Sequence, residues 1–197
     1  MSVKDNISIE CEARAMINES QYETLLSFHR EHAKSYKELV NINTYFDTED
    51  RYLVHHHMVL RIREVENEKD ELTLKVKGDN GDIEITYLLD EKEKEEMCQK
   101  CIIPSIKIKD ELLSRGVDIS HLSLVSKLKT ERMEVYLRSY IFVIDKNYYN
   151  NKVDFNIEVE AKDKKCAKKH LNELGALVGV SYQKGYISKS RRAILNL

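Results

Sequence analysis

Apolar and polar residues alternate at period two over much of the chain. Glu10, Glu12 and Arg14 alternate with Ile9, Cys11 and Ala13, and Asp154, Asn156, Glu158 and Glu160 alternate with Phe155, Ile157 and Val159. Between them, Arg61 and Arg63 alternate with Leu60 and Ile62, and Lys75 and Lys77 with Leu74 and Val76. Successive side chains of a strand point to opposite faces, so each segment has one charged face and one apolar face. The pattern predicts strands over residues 5–15, 41–47, 57–65, 71–77, 82–89, 122–137, 139–146 and 152–161. Gly78, Asp79, Asn80 and Gly81 supply turn chemistry for a hairpin between 71–77 and 82–89. Helical periodicity covers roughly 20–33, 90–101, 105–115 and 162–178, with a short basic helix within 183–195. Ser20 and Glu23 have the spacing of a capping box for the first helix. Residues 48–52 read as a turn or short helix, and Pro104 and Gly116 punctuate the inserted helical pair.

Strands first, inserted helices and a helical tail describe an α+β protein built on an antiparallel sheet. The 197 residues fit a single domain spanning 1–197. Composition narrows the function. Charged residues make up 34% of the chain, yet the net charge is only −2, whereas a nucleic-acid binder would be clearly basic. The longest apolar run, about residues 140–144, is too short to span a bilayer, and the first residues lack the apolar core of a signal peptide. A soluble cytoplasmic protein is expected. Cys98 and Cys101 form a C-x-x-C without a second pair or a histidine set to complete a zinc site. His55, His56 and His57 are consecutive and cannot all face one ion from a strand.

The charged faces raise a sharper question. If they point into one cavity, the acids are Glu10, Glu12, Glu84, Asp145, Glu158 and Glu160, and the bases are Arg14, Arg61, Arg63, Lys75 and Arg132, with Lys77 a further candidate. Burying an unpaired ion costs several kcal/mol, about the scale of a domain's net stability. An open, wetted barrel of about eight strands could hold them. Glu10 with Glu12, and Glu158 with Glu160, repel unless a cation lies between them, and oxygen-only ligation suits Mg2+ or Mn2+. The arginines and lysines need an anion whose oxygens match a guanidinium fork, and a triphosphate chain matches their number. The competing reading is a solvated sheet face laced with cross-strand ion pairs.

One set of motifs carries a resemblance. E-x-E-x-R (10–14), Y-F-D-T (45–48), L-R-I-R (60–63), L-T-L-K (72–75), T-x-R (130–132), I-E-V-E (157–160) and S-K-x-R (188–191) occur in this order. The set resembles the CYTH, or triphosphate tunnel metalloenzyme, superfamily over nearly the whole chain. The resemblance implies an eight-stranded antiparallel β-barrel with flanking helices, and metal-dependent hydrolysis of a triphosphate within it. It implies metal ligation by Glu10, Glu12 and Glu160, with Glu158 as a further ligand or a base that orients water. It implies phosphate binding by Arg14, Arg61, Arg63, Lys75, Arg132 and Lys189, the last from a helix that closes one tunnel end. It implies that Glu84 and Asp145 are tunnel acids that hold the cations in place or bind a second metal.

The chain departs from the family in one place. Arg14 stands where the family's first strand carries lysine, so the positive charge is kept but a general acid is lost, because arginine does not release its proton. The alternatives are a class IV-type adenylate cyclase, which forms cyclic AMP and pyrophosphate from ATP, and a non-catalytic polyphosphate or nucleotide binder. A small triphosphate is the expected partner, with neither membrane nor nucleic acid. The oligomeric state stays open, a homodimer included.

Overall fold

The computed structural model describes residues 4–79 and 81–197. In chain order the elements are β1 (Asp5–Ile17), α1 (Glu19–His32), β2 (Tyr36–Asp47), α2 (Tyr52–His55), β3 (Met58–Val65), β4 (Glu71–Lys77), β5 (Asp82–Leu88), α3 (Glu91–Lys100), α4 (Ile106–Ser114), β6 (Ser123–Leu137), β7 (Tyr140–Tyr149), β8 (Lys152–Ala161), α5 (Lys164–Gly175) and α6 (Lys189–Leu195). The strands close into a barrel in the order β1-β5-β4-β3-β2-β6-β7-β8, and β8 returns to β1. Every pairing is antiparallel. Among the described residues no helix is long and apolar enough to cross a membrane.

The alternation now has its physical meaning. Apolar faces point outward and are covered by helices, and charged faces point inward. Leu60, Ile62, Leu72, Leu74 and Ile85 pack under Met97 of α3 and Ile108 and Leu112 of α4. On the opposite side, Ala13, Ala15, Phe142, Ile157 and Val159 pack under α1 and α5. α1 presents Tyr22, Leu25, Leu26 and His29 to this core, and α5 presents Ala167 and Leu171. The i, i+3, i+4 spacing puts each set on one helix face.

Most of the expected boundaries hold, with corrections. β2 begins at Tyr36, well before residue 41, and β7 continues to Tyr149. The capping box of α1 is Asn18 with Gln21, not Ser20 with Glu23. Asn18 is extended (φ −93°, ψ 173°), its Oδ1 accepts from the Gln21 amide at 2.9 Å, and its own amide donates to Gln21 Oε1 at 2.8 Å. Helical geometry therefore starts at Glu19, and Ser20 already lies inside the first turn. In the Y-F-D-T motif, buried Asp47 accepts from the Thr48, Leu53 and Val54 amides and turns the chain into α2. Of the three histidines, His55 ends α2 and His57 takes a positive φ of 57° before β3. In the β4–β5 turn, Asn80 lies outside the described residues. A Cβ on Gly81 would come 2.7 Å from the Glu10 carbonyl oxygen, so only glycine lets this turn lie against β1.

Candidate active site

The tunnel wall is written by register. β1 meets β8 with Glu12 opposite Glu160 and Arg14 opposite Glu158. Lys75 faces Glu84, Arg132 faces Asp145, Arg61 faces Thr73, and Glu10 faces Asp82. Every site residue expected from the sequence is therefore brought to one lumen, with Lys189 entering from α6. Lys77 sits at the rim and is exposed, while Lys129 points outward and pairs with Glu131 at 2.8 Å.

The carboxylates divide into two groups. Glu10 Oε2 accepts from Lys75 Nζ at 2.5 Å, and Glu12 pairs with Arg14. Burial would lower the Lys75 pKa, but Glu12 and Glu10 outweigh it and hold the ammonium charged. Glu160 makes no ion pair among the described residues. Burial, with Glu10, Glu158 and Glu12 nearby and only partly offset by Arg132, pushes its pKa up to about 7. Among the described residues no three His, Cys, Asp or Glu side chains converge as a ready metal cluster. Lys75 and Arg14 instead contact Glu10 and Glu12, the carboxylates beside Glu160.

Glu158 lies in the second group, 3% exposed and ringed by cations. Its oxygens lie 3.4 Å from Arg14 Nε, Arg132 Nη2 and Lys189 Nζ. Burial opposes ionisation, yet Lys189, Arg14 and Arg132 hold its pKa well below the ordinary carboxylate value. The fully buried Asp145 is fixed by a bidentate contact from Arg132 at 2.8 and 2.9 Å and by Lys189 Nζ at 2.6 Å. Glu84 lies 3.5 Å from Arg61 Nη2 and 3.6 Å from Lys75 Nζ.

Arg63 is the counterpart of Glu160. It makes no ion pair among the described residues, and its Nε has no hydrogen-bond partner. Burial, reinforced by Arg61 and Arg132, pushes its pKa down to about 10. The same wall carries further unsatisfied buried polar atoms: Asn41 Oδ1, Asn43 Oδ1, Tyr45 Oη, Thr73 Oγ1 and Arg61 Nε. Buried polar groups left unpaired are costly, so these atoms call for water or a polar ligand as partner. Asn41 and Asn43 drew no site assignment from the sequence, although their alternation with Ile42 put them on the inward face. Tyr45 stood in a motif without a role.

α6 plugs one end. Ala193 and Ile194 pack with Tyr45, Val54, Leu128 and Tyr149 in a small apolar cluster, and Ala193 O accepts from Ser126 Oγ and Asn150 Nδ2. The other end is polar, a cavity of about 220 Å³ lined by Lys37, Asn41, Arg63, Glu71 and Glu134 among others. Cys98 and Cys101 are outside the lumen, packed against the helix-covered core, where burial pushes both thiols up.

Comparison with known proteins agrees with this geometry. The chain is 31% identical over 155 residues to YjbK of Bacillus subtilis (strain 168), whose name provisionally assigns triphosphatase activity; the match covers 79% of this chain and 78% of that protein. A Bacillus halodurans protein described as a candidate adenylate cyclase superposes with a TM-score of 0.84 at 26% identity, over 94% of this chain and 97% of that one. HpAC1 from Hippeastrum, an adenylyl cyclase candidate described as having a dominant triphosphatase activity, shares the fold with a TM-score of 0.76 at 19% identity, over 95% and 96%. The CYTH domain model matches residues 8–190. By sequence and by tunnel architecture, this chain belongs to the CYTH domain family.

Proposed function

We propose that this protein hydrolyses a small triphosphate, inorganic tripolyphosphate or a compact organic triphosphate, inside the barrel with Mg2+ or Mn2+. The reading treats residues 1–197 as one such domain working in the cytoplasm. The observation that carries it is the pair of unmet charges in a single lumen. Among the described residues Glu160 and Arg63 make no ion pair, while their neighbours are already paired. A divalent ion with a polyphosphate supplies a partner to each. The triphosphatase assignment of YjbK supports the choice of substrate.

The carboxylates suit a hard cation: Glu10, Glu12 and Glu160 offer only oxygens, and Glu160 makes no ion pair among the described residues. A divalent ion held there would polarise phosphoryl oxygens and offset charge that develops on them. Arg61, Arg63, Lys75, Arg132 and Lys189 are assigned to hold the phosphate chain in line, so positioning and electrostatics carry most of the catalysis. Asp145 and Glu84 keep that set oriented and charged. Glu158 orients water or cations rather than taking a proton, because a carboxylate held so far below its ordinary pKa is a weak base. Arg14 contributes charge to the phosphate and donates no proton.

The test is phosphate release from tripolyphosphate with Mg2+, with Mn2+ and with chelator. Metal-dependent release that stops at pyrophosphate supports the proposal. Tight binding without release makes the protein a binder. The Bacillus halodurans neighbour motivates one further arm: cyclic AMP and pyrophosphate formed from ATP would replace hydrolysis with cyclisation.

A further inference from the structure

We infer that Tyr186, on the strap between α5 and α6, is a positioning residue that holds the Arg14 guanidinium in the tunnel, which rests on the tunnel being the triphosphate site. β5 begins at Asp82 opposite Glu10, so among the described residues β1 beyond Glu10 has no strand partner on that side. The strap covers this edge. The Gln183 amide donates to Arg14 O at 3.2 Å, and Gln183 Oε1 accepts from the Met16 amide at 3.2 Å. The Arg14 backbone is thus tied to the strap. Three residues on, the Tyr186 ring lies 5.8 Å from the Arg14 guanidinium carbon, within cation–π reach.

Tyr186 is itself anchored. Its Oη accepts from Arg192 Nη1 at 3.0 Å, and Arg192 makes a bidentate contact with Asp154 at 2.7 and 2.9 Å. Asp154 also accepts from Tyr149 Oη at 2.5 Å. The chain of contacts runs from the wall through the plug helix to Tyr186 and then to Arg14. Cavities of about 400 and 410 Å³ flank the ring, and Arg14 lines both. Without the ring, only Glu12 and Glu158 would hold the Arg14 head, with both cavities open beside it. Glu12 and Glu158 pull it toward the carboxylate wall, and Tyr186 limits where the planar head can lie.

A planar guanidinium stacks on an aromatic face in a way that the compact, strongly hydrated ammonium of lysine does not. Arg14 and Tyr186 therefore act as a matched pair.

The experiment is a double-mutant cycle between Arg14→Ala and Tyr186→Leu, with Tyr186→Phe as the conservative variant. Tripolyphosphate affinity is measured by calorimetry in chelator, and KM and kcat with Mg2+. Thermal unfolding checks that each variant folds, and Tyr186→Met replaces the leucine variant if that one does not. Tyr186→Leu is expected to raise Kd and KM about five- to thirtyfold in the Arg14 protein, the scale of a partly desolvated cation–π contact. Tyr186→Phe, which keeps the ring and loses only the Oη contact to Arg192, should fall between wild type and Tyr186→Leu, and Tyr186→Leu should add less than about twofold once Arg14 is alanine. Equal losses in both backgrounds, or a phenylalanine variant as weak as the leucine one, would overturn the inference. A wild-type protein that binds no tripolyphosphate overturns the triphosphate reading and this inference together.

Discussion

Replacing Glu160 by glutamine separates stability from activity. The carboxyl has an ordinary value of 4.5 and is pushed up to about 7 in the fold. At 1.36 kcal/mol per pKa unit, ionising it in the folded protein costs about 3 kcal/mol more than in the unfolded chain. The folded pKa is the higher one, so this group favours folding below pH 4.5. The advantage is lost as pH rises through the window from 4.5 to about 7. Glu160→Gln carries no charge at any pH. In chelator at pH 8 the variant should be more stable than wild type by up to about 3 kcal/mol. For a chain of this size that corresponds to roughly 6–12 °C in Tm. At pH 4.5 the two should unfold together. Adding Mg2+ or Mn2+ should stabilise wild type and not the variant, and metal-dependent phosphate release should be lost. The assay is thermal unfolding in chelator at both pH values, repeated with metal. A variant no more stable than wild type at pH 8 would refute the argument that Glu160 is held ionised at a cost until a cation arrives.

Arg63 predicts the mirror image: Arg63→Met should leave urea stability unchanged or raised, because no carboxylate pairs with it among the described residues, while tripolyphosphate Kd rises at least about tenfold by calorimetry. Arg132→Ala should do the opposite to the fold, costing about 3 kcal/mol in urea unfolding, because the fully buried Asp145 loses its bidentate partner and keeps Lys189 and the Asn156 amide, a single cation. Asn18→Ala should cost about 1 kcal/mol without touching phosphate release, and Ser20→Ala should cost little, which distinguishes the observed cap from the one expected at Ser20.

How far the sequence reached can be judged from particular residues. Period-two alternation assigned Glu10, Glu12, Arg14, Glu158 and Glu160 to shared faces, and all of them line the lumen. The same alternation held the inward Asn41 and Asn43, which passed unremarked because a neutral amide signals no charge imbalance. The cap was misplaced because two overlapping patterns, Asn18 with Gln21 and Ser20 with Glu23, satisfy the same spacing rule. Only the backbone geometry at the strand end decides between them. β2 ran longer than expected because the Tyr36–Leu39 stretch alternates weakly, and its strand state comes from pairing with β6.

By itself the sequence determined which side chains share a face, since that follows from backbone geometry within one strand. It also determined that those faces carry more charge than a dry interior tolerates. Only the tertiary structure decided that the charged faces turn inward. That outcome depends on helices remote in sequence covering the apolar side. Closure of the ring likewise decided that Glu12 meets Glu160, that Arg14 meets Glu158, that Lys189 reaches Asp145 from the far end of the chain, and that Tyr186 lies over Arg14. A hairpin turn fixes the register of strands adjacent in sequence, as between β4 and β5, but the pairing of β1 with β8, remote in sequence, comes only from closure of the whole barrel.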